Sequence, residues 1–348
     1  MANTLPPYLE ITDNSGNSLI DFLNKSAYSQ LFILVDENTK THCFPLVKNE
    51  LKAVHTIEIK SGESNKTLAA CSKIWQVLTD ARADRNAVLI NLGGGVIGDM
   101  GGFCASTYKR GIDFVNIPTT LLSQVDASIG GKLGVDFGGF KNHIGLFKLP
   151  KKVIIDAAFL ATLPQNQIRS GFAEILKHAC INDVNHLSQL TTIDINNYDW
   201  KHLIESSIAI KNAIVESDPF EKGNRKFLNF GHTIGHAVET YFLNNSLPIL
   251  HGEAVALGMI TEGYLSSKLL GLQIEERDKL IEIIDTYFNR INIPENGMKE
   301  ILNNIEQDKK NEGNSIQAVL LSQLGKAEHS ITISKKEIEE SLKFYATK

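Results

Sequence analysis

Short apolar segments alternate with helical patterns through the first half of the chain, and this alternation limits what the chain can fold into. Apolar runs occupy 31–36 (LFILVD), 88–95 (VLINLGGG), 114–118 and 152–157. Their length and β-branched composition are typical of buried parallel strands. A helical pattern over 65–83 separates the first two runs. The alternation predicts an α/β domain in which helices cover both faces of a parallel sheet.

Helical periodicity dominates after about residue 160. Apolar positions recur at helical spacing over 202–218, 251–271 and 276–291, and strand-like stretches remain only at 315–321 and 330–334. This texture predicts a helical second half.

The change from alternating strand and helix patterns to helical periodicity falls near TLPQNQ, where the Leu163-Pro164 step favours a break before the next helix. We therefore expect two domains. The first is an α/β domain over 1–163, and the second is an all-α domain over 164–348.

The composition is that of an ordinary globular protein, with 43% hydrophobic and 22% charged residues. A net charge of −5 argues against nucleic acid or an anionic membrane as the main partner. The four cysteines form no C-x-x-C pair. The N-terminal residues do not resemble a signal peptide, and no apolar run reaches about 18 residues. We expect a cytoplasmic protein with a small-molecule ligand.

Glycines between a predicted strand and a predicted helix suggest a nucleotide cradle at NLGGGVIGD (91–99). They would let the backbone approach a pyrophosphate, whose charge the N–H groups of the helix start would receive. A tight turn without a ligand explains the same residues equally well. Asp36 could accept a ribose hydroxyl or cap a helix. SGESNK (61–66) could bring Glu63 and Lys66 to a nucleotide or simply start a helix.

The segment 117–142 combines five glycines after Asp126 with hydroxyl and cationic side chains. This mixture favours a loop that wraps a phosphorylated ligand, and a glycine-rich surface loop with solvated lysines is the alternative. The side chains available to a ligand are Thr119, Thr120, Asp126, Lys132, Lys141 and Asn142.

Three histidines and a glutamate suggest a metal site in the second half. His232 and His236 share one face of a predicted helix, and His251 follows a proline-broken connection. With Glu174 as carboxylate, two of them would complete a catalytic zinc site. Spacing alone favours His232 and His236, although Thr233 stands where a zinc protease needs glutamate. Each histidine taken singly is more simply a core or surface imidazole.

Cationic residues near these histidines predict an electropositive pocket. Lys177, Lys211 and Arg225, together with Asn229, would bind a carboxylate or a phosphate. A metal ion that polarises an alcohol beside a dinucleotide suggests alcohol oxidation.

Taken together, the motifs resemble one family. SGESNK, GGGVIGD, YKRG, PTTLLSQVDASIGGK, KNHIGLF, GFAEILKH, LNFGHTIGHAVE and HGEAVALGM occur in this order, and they resemble the 3-dehydroquinate synthases over roughly residues 30–325. The resemblance implies a Rossmann-like N-terminal domain, a helical C-terminal domain and an active site in the cleft between them. It also implies NAD, a divalent metal (usually Zn²⁺, with Co²⁺ as an alternative) and a homodimer.

The resemblance implies roles for individual residues. It assigns the metal to Glu174, His232 and His251, which replaces the choice made from spacing and leaves His236 to the substrate. Arg110 corresponds to an arginine that reaches the neighbouring subunit. The implied substrate contacts are Asp126, Lys132, Asn142, Lys177, Lys211, Arg225, Asn229 and His236, with Lys309 or Lys310. The implied NAD contacts are Asp36, Glu63, Lys66, Gly94, Gly95, Val96, Asp99, Thr119, Thr120, Lys132, Lys141, Phe159 and Thr162.

The implied reaction converts 3-deoxy-D-arabino-heptulosonate 7-phosphate to 3-dehydroquinate and phosphate in the shikimate pathway. It combines transient oxidation by NAD, β-elimination of phosphate, reduction, ring opening and an intramolecular aldol closure. Another sugar phosphate cyclase, a metal-dependent polyol dehydrogenase and a non-catalytic nucleotide-binding module are the alternatives. One departure is Asp136, which stands where the family usually has asparagine and adds negative charge near the expected phosphate.

Overall fold

The computed structural model describes residues 5–48, 51, 53–195, 197–294, 297–306 and 315–347. The chain divides into two units. The first comprises Met1–Pro164 and Asp199–Asn212, and the second comprises Gln165–Tyr198 and Ala213–Lys348. Lys309 and Lys310, the C-terminal candidates for substrate contact, lie outside the described residues.

A parallel sheet organises the first unit. The strands of this unit are β1 (Leu9–Thr12), β2 (Leu31–Asp36), β3 (Val54–Ile59), β4 (Val88–Gly93), β5 (Asp113–Pro118), β6 (Lys132–Phe137), β7 (Phe140–Phe147) and β8 (Lys152–Asp156). Six of them form a sheet in the order β1-β8-β5-β4-β2-β3, with every neighbouring pair parallel. The four predicted strands are its four central members, which confirms the α/β fold class.

Helices cover both faces of this sheet. They are α1 (Ser15–Asn24), α2 (Glu37–His42), α3 (Phe44–Lys48), α4 (Leu68–Asp80) and α5 (Gly95–Thr107). One apolar layer packs Ile74 and Met100 against the sheet, and the opposite layer packs Leu19 and Val47. Helix α4 is capped by Thr67, whose hydroxyl accepts the Ala70 N–H.

The glycine-rich segment after β5 forms a hairpin and not the predicted loop, and its contact with a ligand stays a prediction. A short π-helical turn at Ser123–Ala127 is followed by the antiparallel pair β6–β7. Gly138 (φ 62°) and Gly139 (φ 83°) join the two strands. Two consecutive left-handed residues suit a tight hairpin connection, and glycine adopts them without steric cost.

Helices dominate the second unit. The remaining helices of the chain are α6 (Gln165–Asn182), α7 (Val184–Leu190), α8 (Trp200–Ser217, in the first unit as far as Asn212), α9 (His232–Asn244), α10 (His251–Leu269), α11 (Ile274–Tyr287), α12 (Gly297–Glu306) and α13 (Lys335–Thr347). The two late strand-like stretches pair as the hairpin β9 (Ile316–Gln323) and β10 (Lys326–Ile333). Helix α10 is central, because it contacts α6, α9, α11, α13 and β9. Among the described residues, no helix combines the length and apolar character needed to cross a membrane.

Candidate metal and dinucleotide sites

Side chains from three helices meet in the second unit. Glu174 lies on α6, and His232 and His251 are the first residues of α9 and α10. The Oε1 atom of Glu174 is 3.5 Å from the Nε2 atoms of both histidines. Glu174 is fully buried and His232 nearly so, whereas His251 is partly exposed. Two imidazoles and one carboxylate directed at a common point fit a divalent ion that keeps a further coordination position for a substrate.

His236 lies beside this group. Its ring centroid is 4.9 Å from that of His232 and 5.6 Å from that of His251. One ligand nitrogen from each of the three histidines lies within 4.8 Å of the others. The fold therefore brings together the ligand pair chosen from spacing and the set implied by the resemblance.

Glycines allow α10 to approach both α6 and α9 closely. An added Cβ on Gly258 would lie 1.8 Å from the Gly231 carbonyl oxygen, and one on Gly252 would lie 2.2 Å from the carbonyl oxygen of Ser170. One on Gly235 would lie 2.7 Å from the carbonyl oxygen of Ala254. Side chains are excluded at these three contacts, and the resulting closeness of the helices lets Glu174 and the histidines converge.

His232 and His251 are each oriented through the Nδ1 nitrogen. His232 Nδ1 lies 3.0 Å from the Phe230 carbonyl oxygen, and His251 Nδ1 lies 3.4 Å from Glu239 Oε2. With Nδ1 held in this way, the Nε2 atom of each histidine faces Glu174. Metal-binding histidines are commonly oriented by such a contact at the nitrogen that does not bind the metal. Burial lowers the pKa of His251, but the charge of Glu239 and the contact with Glu174 outweigh burial and raise this pKa to about 10.

Glu239 belongs to none of the sites predicted from the sequence motifs. A signal was available, because Glu239 follows His232 by seven residues and His236 by three on the same helix. These spacings place the three side chains on one helical face.

Two buried cationic groups and a partly buried amide accompany the histidines in the second unit. Lys177 is buried and forms an ion pair with Glu174 one helical turn away. Arg225 is buried on a 3₁₀ turn, and its Nη1 donates to the Pro219 carbonyl oxygen at 2.6 Å. At the end of the same turn, Asn229 Nδ2 donates to Glu221 Oε1 at 2.8 Å. These contacts fix groups that can bind an anion or a hydroxyl.

Lys211 and Asp126 belong to the first unit. The Nζ atom of Lys211 donates to both the carboxylate and the backbone oxygen of Asp126, each at 2.6 Å. Two of the residues assigned to the substrate therefore hold each other in place.

The predicted nucleotide cradle joins β4 to α5. Gly94 is the N-cap of α5, and no side chain caps this helix start. A small cavity beside it is lined by residues that include Gly95, Gly98 and Asp99. An added Cβ on Gly98 would meet nothing within 4 Å, and one on Gly95 would meet only the Ala127 Cβ, at 3.5 Å. An open helix N-terminus of this kind fits a pyrophosphate.

A polar network around the buried Lys66 lies beside the cradle. Lys66 is almost fully buried, and its Nζ lies 2.5 Å from Asp99 Oδ2 and 2.6 Å from Asn142 Oδ1. Burial lowers the pKa of Lys66, but the charge of Asp99 outweighs burial and raises it. Burial raises the pKa of Asp99. Asp136 accepts the backbone N–H of Asn142 at 2.7 Å, so the residue that departs from the family pattern belongs to the same neighbourhood.

The other residues assigned to NAD differ in their surroundings. Asp36 caps α2 and shares a capping box with Thr39, and its contact with a ribose hydroxyl stays a prediction. Phe159 lies in the core, which leaves only its backbone for a ligand. Thr120 bonds Ser123 through its hydroxyl, and the Thr119 N–H donates to the carbonyl oxygen of Gly93. Glu63 and Lys141 approach to 3.8 Å, Val96 is half-buried on α5, and Lys132 and Thr162 are exposed.

Arg110 is exposed on a strained turn. Lys109 and Arg110 have φ values of 50° and 69°, and Gly111 follows at 113°. Left-handed backbone at two successive residues with side chains costs energy and often marks a functional segment.

Comparison with known proteins supports one family. Residues 56–170 match the 3-dehydroquinate synthase N-terminal family, and residues 171–311 match the 3-dehydroquinate synthase C-terminal family. The 3-dehydroquinate synthase of Parabacteroides distasonis is 42% identical over 334 residues, which are 94% of this chain and 95% of that protein.

Solved structures of related synthases share the fold. A 2-deoxy-scyllo-inosose synthase complexed with carbaglucose-6-phosphate, NAD⁺ and Co²⁺ has a TM-score of 0.86 at 24% identity, covering 97% of this chain and 96% of that one. A 2-epi-5-epi-valiolone synthase from Streptomyces hygroscopicus subsp. jinggangensis with NAD⁺ and Zn²⁺ bound has a TM-score of 0.83 at 22% identity, covering 99% and 98%. Because the two family matches together span residues 56–311 and the relative from Parabacteroides distasonis is 42% identical over 94% of this chain, the chain belongs to the 3-dehydroquinate synthase family.

Proposed function

We propose that this protein converts 3-deoxy-D-arabino-heptulosonate 7-phosphate to 3-dehydroquinate and phosphate, and so acts as a carbon–oxygen lyase. The observation that carries the proposal is the convergence of Glu174, His232 and His251, with oxygen–nitrogen distances of 3.5 Å, beside buried Lys177. Membership of the family supports it.

The residues fit a divalent ion and NAD as cofactors. The Nε2 atoms of His232 and His251 and a carboxylate oxygen of Glu174 form a nitrogen and oxygen donor set that accepts Zn²⁺ or Co²⁺. Gly94, Gly95 and the start of α5 would receive the dinucleotide phosphates. When bound, the ion would polarise a substrate hydroxyl, and NAD would accept a hydride and return it.

Buried cations would orient the substrate. Lys177, Arg225 and Lys211 are held by Glu174, the Pro219 carbonyl oxygen and Asp126 respectively. Removal from water strengthens the attraction of each cation to anions, so each would bind an anionic group of the substrate. Asn229 and His236 would bind its hydroxyl groups.

Phosphate release without net NADH tests the proposed activity. The purified protein would be supplied with NAD, Zn²⁺ and the heptulosonate phosphate, and phosphate, 3-dehydroquinate and NADH would be followed together. We expect phosphate and 3-dehydroquinate in equal amounts and no lasting NADH signal. NADH in proportion to substrate would identify a polyol dehydrogenase, and faster turnover of another sugar phosphate would identify a different cyclase.

We also propose a cytoplasmic homodimer in which Arg110 acts on the neighbouring subunit's substrate. Arg110 is exposed on a turn with a strained backbone. Such strain is often retained where it orients a functional side chain, which supports the proposal. Mixing Arg110→Ala with His251→Ala tests this arrangement, because a mixed dimer would contain one site with all its residues. Activity of the mixture above that of either variant alone is expected, and no recovery would contradict the proposal.

A further inference from the structure

The first turn of α9 is capped by a side chain from another helix. Gly231, which precedes His232, provides no side chain to accept the unbonded N–H groups at this helix start. Glu262 on α10 accepts them instead, with Oε2 2.6 Å from the Gly231 nitrogen and Oε1 3.1 Å from the Ile234 nitrogen. Its side chain is fully buried.

No capping side chain fits at position 231. Gly231 has φ 79°, and an added Cβ would lie 2.8 Å from Met259 Cγ and 3.0 Å from the Val255 carbonyl oxygen. The residues that usually cap helices, Ser, Thr, Asp and Asn, all carry this atom. The acceptor comes from α10, which is in close contact with the start of α9.

The charge of Glu262 suits both the helix and an ion. A helix start carries partial positive charge, which stabilises a carboxylate and repels a cation. His232 is the first residue of α9, so an ion bound to it would lie close to this positive end. A buried carboxylate that accepts two N–H groups would offset the repulsion.

We propose that Glu262 is a positioning residue for His232 in metal binding. It fixes the turn that contains the Phe230 carbonyl, which orients the His232 ring, and the N–H groups on either side of His232. The inference rests on the proposed function, because it requires Glu174, His232 and His251 to bind a divalent ion. Sequence patterns give no signal for it, since Glu262 follows Gly231 by 31 residues.

Metal binding to the stripped protein tests the role of Glu262. Glu262→Gln keeps the size of the side chain but removes its charge and turns an NH₂ group toward a backbone N–H. We expect Co²⁺ and Zn²⁺ affinities, measured by chelator competition, to fall about 10- to 100-fold, as for other contacts that orient metal ligands. The visible absorption of bound Co²⁺ should change as well. Glu262→Asp, which retains the charge, should recover part of the affinity and also serves if Glu262→Gln does not fold.

Ser266→Ala is the matched control. Ser266 is also buried on α10, where its hydroxyl donates to the backbone carbonyl oxygen of Glu262 at 2.7 Å and accepts the Leu321 N–H at 2.9 Å, so the substitution disturbs the Glu262 backbone contact and leaves its carboxylate in place. This variant should lose stability but keep the wild-type metal affinity and Co²⁺ spectrum. Wild-type affinity and spectrum in Glu262→Gln, or equal weakening in Ser266→Ala, would overturn the positioning role. Failure of the wild-type protein to bind either ion would instead overturn the proposed metal site, and this inference with it.

Discussion

Glycines near the two candidate ligand sites leave two different kinds of space. At the start of α5, a Cβ on Gly95 would touch only Ala127, at 3.5 Å, and one on Gly98 would touch nothing within 4 Å. In α9 and α10, a Cβ on Gly235 or Gly258 would collide with backbone atoms of the opposite helix at 2.7 and 1.8 Å. Gly95 and Gly98 leave open space that a ligand can fill, whereas the backbone of the neighbouring helix fills the space beside Gly235 and Gly258.

The contrast shows that one residue type supports binding by two routes. The cradle presents backbone groups from one continuous stretch of chain. The candidate metal site would present side chains from α6, α9 and α10, and its geometry depends on how closely these helices pack. Substitution should therefore impair ligand binding directly in the first region and the fold in the second.

The largest expected effect is the loss of a metal ligand. Glu174→Ala or His251→Ala should reduce metal affinity by more than the roughly 10- to 100-fold typical of outer contacts, because a direct donor is removed. Turnover should be lost together with the metal. Bound metal per chain and initial rate would be measured on the same preparations.

His236→Ala is the companion variant for the metal ligands. It should retain the metal and lose substrate turnover, since His236 is assigned to the substrate. If His236→Ala loses the metal while His251→Ala retains it, the ligands would instead be His232 and His236, the pair chosen from spacing.

Gly258→Ala should have the next largest effect, on stability. Its Cβ would require the Gly231 carbonyl oxygen to move, and we expect a loss of about 3 kcal/mol in the free energy of unfolding. Gly263→Ala on the same helix is the control, because its nearest neighbour is the flexible Leu280 side chain at 3.2 Å. Denaturant titration would compare them. Equal stability of the two variants would refute the packing role of Gly258.

Gly95→Ala should separate binding from folding in the cradle. The fold should tolerate it or gain up to about 1 kcal/mol from the better helix former. NAD affinity should fall by about tenfold, equivalent to about 1.4 kcal/mol, because the new methyl group occupies the ligand's space. Calorimetric titration with NAD would measure this. Unchanged affinity would place the dinucleotide elsewhere.

The smallest effect concerns Asp136→Asn. Burial raises the pKa of Asp136, only partly opposed by the Asn142 N–H, so the folded state disfavours its charged form. The stabilisation that protonated Asp136 contributes to the folded state is fully present below the ordinary carboxyl pKa. It is lost as the pH rises through the raised pKa of the folded state. Asp136→Asn should therefore be slightly more stable than wild type at neutral pH and equal to it in acid. Unfolding midpoints across this range would test the sign, and a less stable variant at neutral pH would contradict it.

The sequence predicted the centre of the sheet better than its margins. The central strands β2, β4, β5 and β8 are nearly continuous apolar runs because helices bury both of their faces. The edge strands β1 and β3 carry polar and partly exposed residues, so no apolar run marked them. The hairpin β6–β7 was mistaken for a loop because its glycines resemble those of a ligand-binding segment.

The candidate site was predictable only where its parts are local or resemble a known family. The cradle is contiguous, so a strand, three glycines and a helix indicated it. Spacing favoured His232 and His236, because helical periodicity cannot show that α10 brings His251 to the same point. Glu262 depends on packing between helices, which no short pattern records.

The two histidines assigned to the metal each occupy the first position of a helix. Helix ends fray more readily than helix centres, and such local opening does not require the whole protein to unfold. The buried Glu262 carboxylate holds the first turn of α9, so the residence time of a bound ion should follow the opening of the amides in the first turn of α10, and ion exchange should proceed well below the melting temperature. Protection of the same amides from hydrogen exchange would then report occupancy directly.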